Sequence, residues 1–128
     1  MGKILEVSID GNVVADRVVL CDDWESKRTG LLGRNRLASG EGVLMPMPGI
    51  RSLSLGFLTS IHMVGMKFDI AVAWLKKDGT VVKSVKAKKG DLYHATFHPA
   101  NYVMELHEDH LHLLKKGSMV TWKESANG

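Results

Sequence analysis

Three residues of this sequence, an arginine, a histidine and a glutamate, have side chains that could bind a ligand or transfer a proton. Arg34 follows the GLLG segment at the expected end of a short helix, where its planar guanidinium could bind a carboxylate or a phosphate. His62 and Met63 are adjacent, so on a strand they point to opposite faces and one of them is expected to be inward. Glu105 interrupts the apolar strand YVMEL, and in a central strand its carboxyl group would need a partner such as Arg34 or His62.

Each of these residues also has a purely structural interpretation. Glu105 could face water, Arg34 could be a solvated residue after a helix cap, and His62 could be a hydrogen-bonded histidine at a strand end. Met63 and Met66 are equally suited to a hydrophobic core. The sequence leaves these alternatives open.

Metal and nucleophile chemistry has weak support. The methionines and His62 are donor types that copper(I) accepts, but methionine is also a common core residue. The other histidines do not form the helical HExxH pattern, and the single cysteine, Cys21, excludes an internal disulfide and a zinc ribbon. The sequence has no phosphate-binding glycine loop, dinucleotide fingerprint or serine-elbow motif. We therefore expect no metal and no cofactor.

The composition is that of an ordinary globular chain. The 128 residues are 45% hydrophobic and 24% charged, which suits one domain with a real core. The net charge is only +3, and the lysines at 76–89 lie in a stretch without aromatic residues, which favours a solvated strand edge over a nucleic-acid surface. No apolar run reaches the roughly 18 residues of a membrane helix, and the N-terminus does not resemble a secretory signal. We expect no nucleic acid, no membrane and a cytoplasmic location.

Short strands dominate the elements that must position these residues. Polarity alternation and β-branched residues predict strands over 3–9, 13–20, 42–46, 68–76, 80–87, 100–106 and 119–123, and a further strand ending near residue 63. Asp-Gly turns at 10–11 and 78–79 predict two hairpins. Short helices are expected over 24–32 and 107–115.

This pattern predicts a mainly β fold in one domain, residues 1–124, followed by a disordered tail, 125–128. Because no βαβ alternation is visible, we expect a compact antiparallel sandwich or open barrel with two short helices. Residues 46–60 form a long loop, a type that is often functional or mobile, and whether it is a lid stays open.

The order of several short motifs resembles the domain of unknown function family one hundred and ninety-two (DUF192). The motifs are GLLGR (30–34), GVLM (42–45), SIHMVGMKFDIAVAWL (60–75), DGTVVKSV (78–85), YVMEL (102–106) and KGSMV (116–120). The resemblance runs from about Cys21 to Trp122. It implies a compact, mainly β domain with short helices, and it brings no activity, substrate or cofactor.

The family pattern also implies a set of candidate site residues. Those that match its motif positions are Gly30, Gly33, Arg34, His62, Met63, Met66 and Glu105. The chain departs from the pattern at Asp69, where the family often has proline, and at Ala71, where it often has aspartate. That aspartate is therefore lost here or moved to Asp69. Another branch of the family has tryptophan in place of His62, which argues against an obligatory metal or acid–base role for this histidine.

Three functions are compatible with these observations. The leading one is a small β-rich binding module with a groove near Arg34, His62 and Glu105 for a small or anionic ligand. The alternative is an enzyme in which Glu105 and His62 are acid and base and Arg34 orients an anionic substrate. The third is a protein-interaction module with an exposed apolar patch within residues 53–58. The partner is thus an unidentified small molecule or protein.

Overall fold

A seven-stranded mixed sheet is the main feature of the computed structural model. The structure describes residues 3–21, 31, 34–47, 63, 66–91 and 100–125. Its strands are β1 (Ile4–Ile9), β2 (Asn12–Leu20), β3 (Glu41–Pro46), β4 (Ile70–Leu75), β5 (Val81–Ala87), β6 (Tyr102–His107) and β7 (Val120–Glu124). Their order across the sheet is β5-β4-β6-β3-β2-β1-β7. The mainly β class expected from the sequence is confirmed.

Both Asp-Gly hairpins form as the sequence predicts. Asp10 and Gly11 have positive φ angles of 49° and 87° and join β1 to β2 as antiparallel neighbours. Gly79 has a φ of 95° in the turn between β4 and β5. A Cβ atom on Gly79 would collide with the Val120 carbonyl, so both conformation and close approach require glycine there.

The predicted antiparallel sandwich is not what forms. β2 and β3 are parallel neighbours, for example through the Val19–Val43 pair, so all seven strands belong to one mixed sheet. Parallel strands need a crossover of about a dozen residues or more, and the chain between Leu20 and Glu41 is long enough to supply it. The sheet does not close into a barrel. Its edge strands β5 and β7 approach at one end, where Thr80 and Met119 form an isolated bridge.

The described residues contain one short helix, a 3₁₀ helix over Glu108–Leu113. The helix predicted over 107–115 is therefore present but shorter, and the His107 Nδ1 atom caps it by accepting the Asp109 N–H at 3.0 Å. The helix predicted over 24–32 falls almost entirely outside the described residues, as does the strand expected to end near residue 63. None of the helices that the structure describes has the length and apolar character needed to span a membrane.

Apolar side chains cover both faces of the sheet. On one side, which we call the leucine face, the cluster includes Leu5, Val7, Val18, Leu44, Ala71, Ala73, Leu75, Met104, Leu106 and Leu114. On the other side, which we call the valine face, the cluster includes Val43, Met45, Ile70, Val72, Trp74 and Val103, with Cys21, Leu31, Leu37 and Met63. Every residue of β4 is buried because alternate side chains enter the two clusters.

Candidate functional site

Glu105 is the one charged or polar side chain among the buried residues that the structure describes. It lies in β6, where its directly opposite neighbours are Val43 in β3 and Val72 in β4. The same row of the sheet continues to Val19 in β2 and Val85 in β5. Valines from four strands therefore flank a single carboxyl group on the valine face.

The environment of Glu105 disfavours its charged form. The side chain is 8% exposed, and the structure gives its carboxyl group no hydrogen bond or ion pair to any described residue. Burial raises the pKa of this carboxyl from its usual value of 4.5 to about 7, since a charge removed from water is costly.

The carboxyl group of Glu105 is nevertheless not completely enclosed, since the side chain is 8% exposed. In the part of the chain that the structure describes, no wholly enclosed side-chain nitrogen or oxygen lacks a hydrogen bond. Because Glu105 has no polar partner there, its oxygens must keep a small accessible area.

Arg34 is bound to Glu41, and the suggested Arg34–Glu105 pair is not formed. The Arg34 Nη2 atom lies 2.8 Å from Glu41 Oε2, and the Ala38 N–H donates to Glu41 Oε1 at 2.9 Å. These two hydrogen bonds hold the pKa of Glu41 below its usual value. Sequence reasoning missed Glu41, whose available signal was a carboxylate seven residues after Arg34 at the start of a strand.

The Arg34–Glu41 pair still lies on the same face as Glu105. Glu41 stands two residues before Val43 in β3, so the two side chains point to the same side of the sheet. The register of β3 with β6 makes Glu41 a diagonal neighbour of Glu105, with about 7–8 Å between their Cα atoms. Since the Arg34 side chain is 46% exposed, the ion pair forms a partly exposed rim of this face, and the raised pKa of Glu105 reflects burial with no effect of the guanidinium.

Two methionines of the candidate set belong to this face. Met63 is 1% exposed within the valine-face cluster, and Met66 packs against that cluster. The Met63 N–H donates to the Asp91 carbonyl at 2.7 Å, and the Met63 carbonyl accepts from the Met66 N–H at 3.0 Å. Both methionines therefore have the core role that was one of the two interpretations of the sequence.

Three candidates, Gly30, Gly33 and His62, lie outside the described residues. The pairing of His62 with Glu105 therefore stays a prediction. The apolar patch within residues 53–58 and most of the 46–60 loop also lie outside the described part of the chain.

Asp69, which occupies a position where the family often has proline, contacts two lysine residues. Its Oδ1 atom accepts the Lys89 N–H at 2.8 Å, and its Oδ2 atom lies 4.0 Å from Lys86 Nζ. Ala71 is wholly buried in the leucine-face cluster. The chain thus uses Asp69 to hold the turn after β5, and it places an apolar residue where the family often has aspartate.

Comparison with known proteins gives a family and a fold. The family model DUF192, described as "Uncharacterized ACR", matches residues 5–122. A search of curated proteins finds no match to this chain.

Two solved structures are similar to the chain. One is a protein of unknown function from Novosphingobium aromaticivorans DSM 12444, with a TM-score of 0.72 and 19% identity over 91% of this chain and 84% of that one. The other, from Sinorhizobium meliloti 1021, is described as a "putative transcription regulator", with a TM-score of 0.73 and 17% identity over 95% of this chain and 96% of that one. At these identities the likeness shows the fold alone. Because the family model spans most of its residues, the chain belongs to the uncharacterised DUF192 family.

Proposed function

We propose that the protein is a small-molecule binding module whose site lies on the valine face, with Glu105 as its polar anchor. The observation that carries this proposal is the buried Glu105 carboxyl, which has no polar partner among the described residues. A buried polar group left unpaired costs about 1–3 kcal/mol of folding free energy. A ligand that forms a hydrogen bond with the carboxyl recovers that free energy on binding.

The proposed ligand is a small cytoplasmic molecule with an apolar part and an anionic group. A carboxyl group that stays protonated in an apolar site can donate a hydrogen bond to an oxyanion. Arg34 at the rim supplies positive charge, and its ion pair with Glu41 is exposed enough to be exchanged for a ligand contact. The apolar part would contact Val19 and Val85, the partly buried valines at the two ends of the same row.

A thermal-shift screen of small carboxylic acids tests the proposal. We expect at least one compound to raise the melting temperature of the parent protein, because it binds the folded state alone. Glu105→Leu should abolish that increase, and Arg34→Met should reduce it. The matched control is Glu124→Gln, which neutralises an exposed carboxylate on β7 and should leave the increase unchanged.

The pH dependence of binding gives a second readout. The affinity for an anionic compound should fall as the pH rises above about 7, because Glu105 then loses the proton that it donates. The parent should show this fall and Glu105→Gln should not, since the amide keeps a donor at every pH. Equal affinity in the parent and Glu105→Leu, or no stabilisation by any acid, contradicts the proposed site.

An enzyme is the second candidate, and the same carboxyl group favours it. A group with a pKa of about 7 can both donate and accept a proton near neutral pH. In this alternative Glu105 and His62 exchange protons with an anionic substrate that Arg34 orients. Conversion of a bound compound that stops in Glu105→Gln, while binding persists, distinguishes the enzyme from the binding module.

A further inference from the structure

A cavity of about 710 Å³ opens beside the turn between β4 and β5. Its size lies within the roughly 300–1,000 Å³ of small-ligand sites. The walls come from three separate parts of the chain: residues 76–78 with 80–82, residue 101 and residues 116–117. Backbone hydrogen bonds join these parts, including the Gly117 N–H to the Val81 carbonyl at 2.8 Å and the Asn101 N–H to the Leu75 carbonyl at 2.7 Å. The cavity is therefore built by the sheet and its turns.

Three lysines line this cavity: Lys76, Lys77 and Lys116. The ion pairs that the structure describes for lysine involve other lysines of the chain. Three lysines at one hollow concentrate positive charge there, and an anion bound among their flexible side chains would relieve their mutual repulsion.

The one carboxylate in the lining does not balance this charge by direct contact. The Asp78 Oδ1 atom accepts the Thr80 N–H at 2.9 Å, which closes the turn. This bond and a second one from the Thr80 side chain hold the pKa of Asp78 below its usual value. Asp78 therefore serves the turn, and the lining keeps an excess of two positive charges.

We propose that this cavity binds a phosphorylated small molecule, with its phosphate between Lys76, Lys77 and Lys116. A phosphate monoester carries about −1.5 to −2 charges at pH 7, which matches the excess of the lining. Lysine is a common ligand of phosphate. Val81 and Val82, together with the lysine stems, offer apolar contact to the organic part.

The proposal is specific to a small molecule and separate from the Glu105 site. The described lining holds no aromatic side chain on which nucleic-acid bases could stack. Asn101 lies four residues before Glu105, which corresponds to about 13 Å of extended chain. The two proposed sites can therefore be tested independently of each other.

Calorimetric titration of the full chain with adenosine monophosphate, inorganic phosphate and adenosine tests this site. We expect saturable binding of adenosine monophosphate, weaker binding of phosphate and none of adenosine. Lys76→Gln with Lys116→Gln should weaken adenosine monophosphate binding by at least about tenfold, since hydrogen bonds between an ammonium group and a phosphate are stronger than those between neutral groups. The control pair, Lys88→Gln with Lys89→Gln, removes the same charge from the exposed turn after β5 and should change binding by less than about twofold.

Amide NMR spectra of the same titrations locate the contact. Adenosine monophosphate should shift the Gly79, Thr80 and Gly117 signals and leave those of Val43, Val72 and Glu105 in place. Equal weakening by the two lysine pairs, equal binding of adenosine, or the absence of saturable binding overturns the proposal. The proposal is also overturned if a single-stranded oligonucleotide binds more tightly than adenosine monophosphate and if both lysine pairs weaken its binding equally. That result would indicate a general basic surface.

Discussion

The leucine face and the valine face differ most clearly in the side chains that β6 contributes to them. To the leucine face β6 contributes Met104 and Leu106, both wholly buried among apolar neighbours. To the valine face it contributes Val103 and Glu105, and the glutamate sits between valines where another apolar side chain would extend the row.

This difference shows which buried residues favour folding and which one costs folding free energy. An unpaired buried carboxyl gives the folded state no favourable contact and carries a desolvation cost. The leucine face has no such group among the described residues. The valine face holds one, with the Arg34–Glu41 pair beside it. Both faces thus hold buried apolar clusters, and only the valine face, among the described residues, adds a group that costs folding free energy and that the proposed site would use.

The strongest test exchanges the side-chain types of the two faces. Met104→Glu places a carboxyl group opposite Leu44 and Ala73, where neither a partner nor an opening is described, so the expected loss is about 4 kcal/mol or more of unfolding free energy. Glu105→Met has a similar volume and should be neutral or stabilising by about 1–4 kcal/mol at neutral pH. Urea unfolding of both variants measures the contrast. Similar losses in the two variants would show that the faces are equivalent.

The pH dependence of stability tests the valine face alone. The folded-state pKa of Glu105, about 7, exceeds the usual value of 4.5, so the folded chain holds this proton more tightly than the unfolded chain does. The resulting stability is fully present below about pH 4.5 and is lost as the pH rises through about 7, by an amount on the order of 3 kcal/mol.

Comparison with Glu105→Gln isolates this effect. The stability of the parent relative to Glu105→Gln should fall between about pH 4.5 and pH 7.5 and then level off. Urea unfolding at a series of pH values measures it, with Glu124→Gln as the exposed control that should show no such fall. A constant difference between the parent and Glu105→Gln across this range would mean that the carboxyl is hydrated or paired.

Local signals explain how much of the fold could be predicted from the sequence. Alternation along Ile4–Ile9 and the Asp10-Gly11 turn depend on neighbouring residues, so the seven described strands and both hairpins were correctly predicted. The parallel β2–β3 pair depends on the path of the chain between Leu20 and Glu41, which no local pattern reveals. The expected antiparallel sandwich or open barrel did not include this parallel pair for that reason.

For the candidate site, the sequence predicted individual residues but not their tertiary contacts. Alternation in YVMEL placed Glu105 on the same face as Val103, but alternation cannot say whether other residues cover that face. Coverage by Met63 and Leu37 is a tertiary property. The Arg34–Glu41 contact depends on the path of the irregular segment, residues 34–40, that leads into β3. The sequence therefore identified Arg34 as a candidate cation but could not identify its partner.

The smallest expected effect concerns the rim of the valine face. Arg34→Met should lower the free energy of unfolding by less than about 1 kcal/mol, because the Arg34–Glu41 pair is partly exposed and screened by water. The pKa of Glu41 should rise towards its usual value, since the Arg34 hydrogen bond is the largest cause of its lowering. The pKa of Glu105 should stay at about 7, because burial alone raises it.

Carboxyl NMR titrations of Arg34→Met measure both pKa values, and Lys3→Met, which breaks the exposed pair with Glu124, is the matched control. A marked rise in the pKa of Glu105 would mean that the guanidinium acts on the buried carboxyl directly, and the rim and the anchor would then form one charged unit. A loss of several kcal/mol would assign Arg34 to the fold. A small loss together with weaker binding of an anionic compound would place Arg34 where the proposed site needs it, at the partly exposed edge of the valine face.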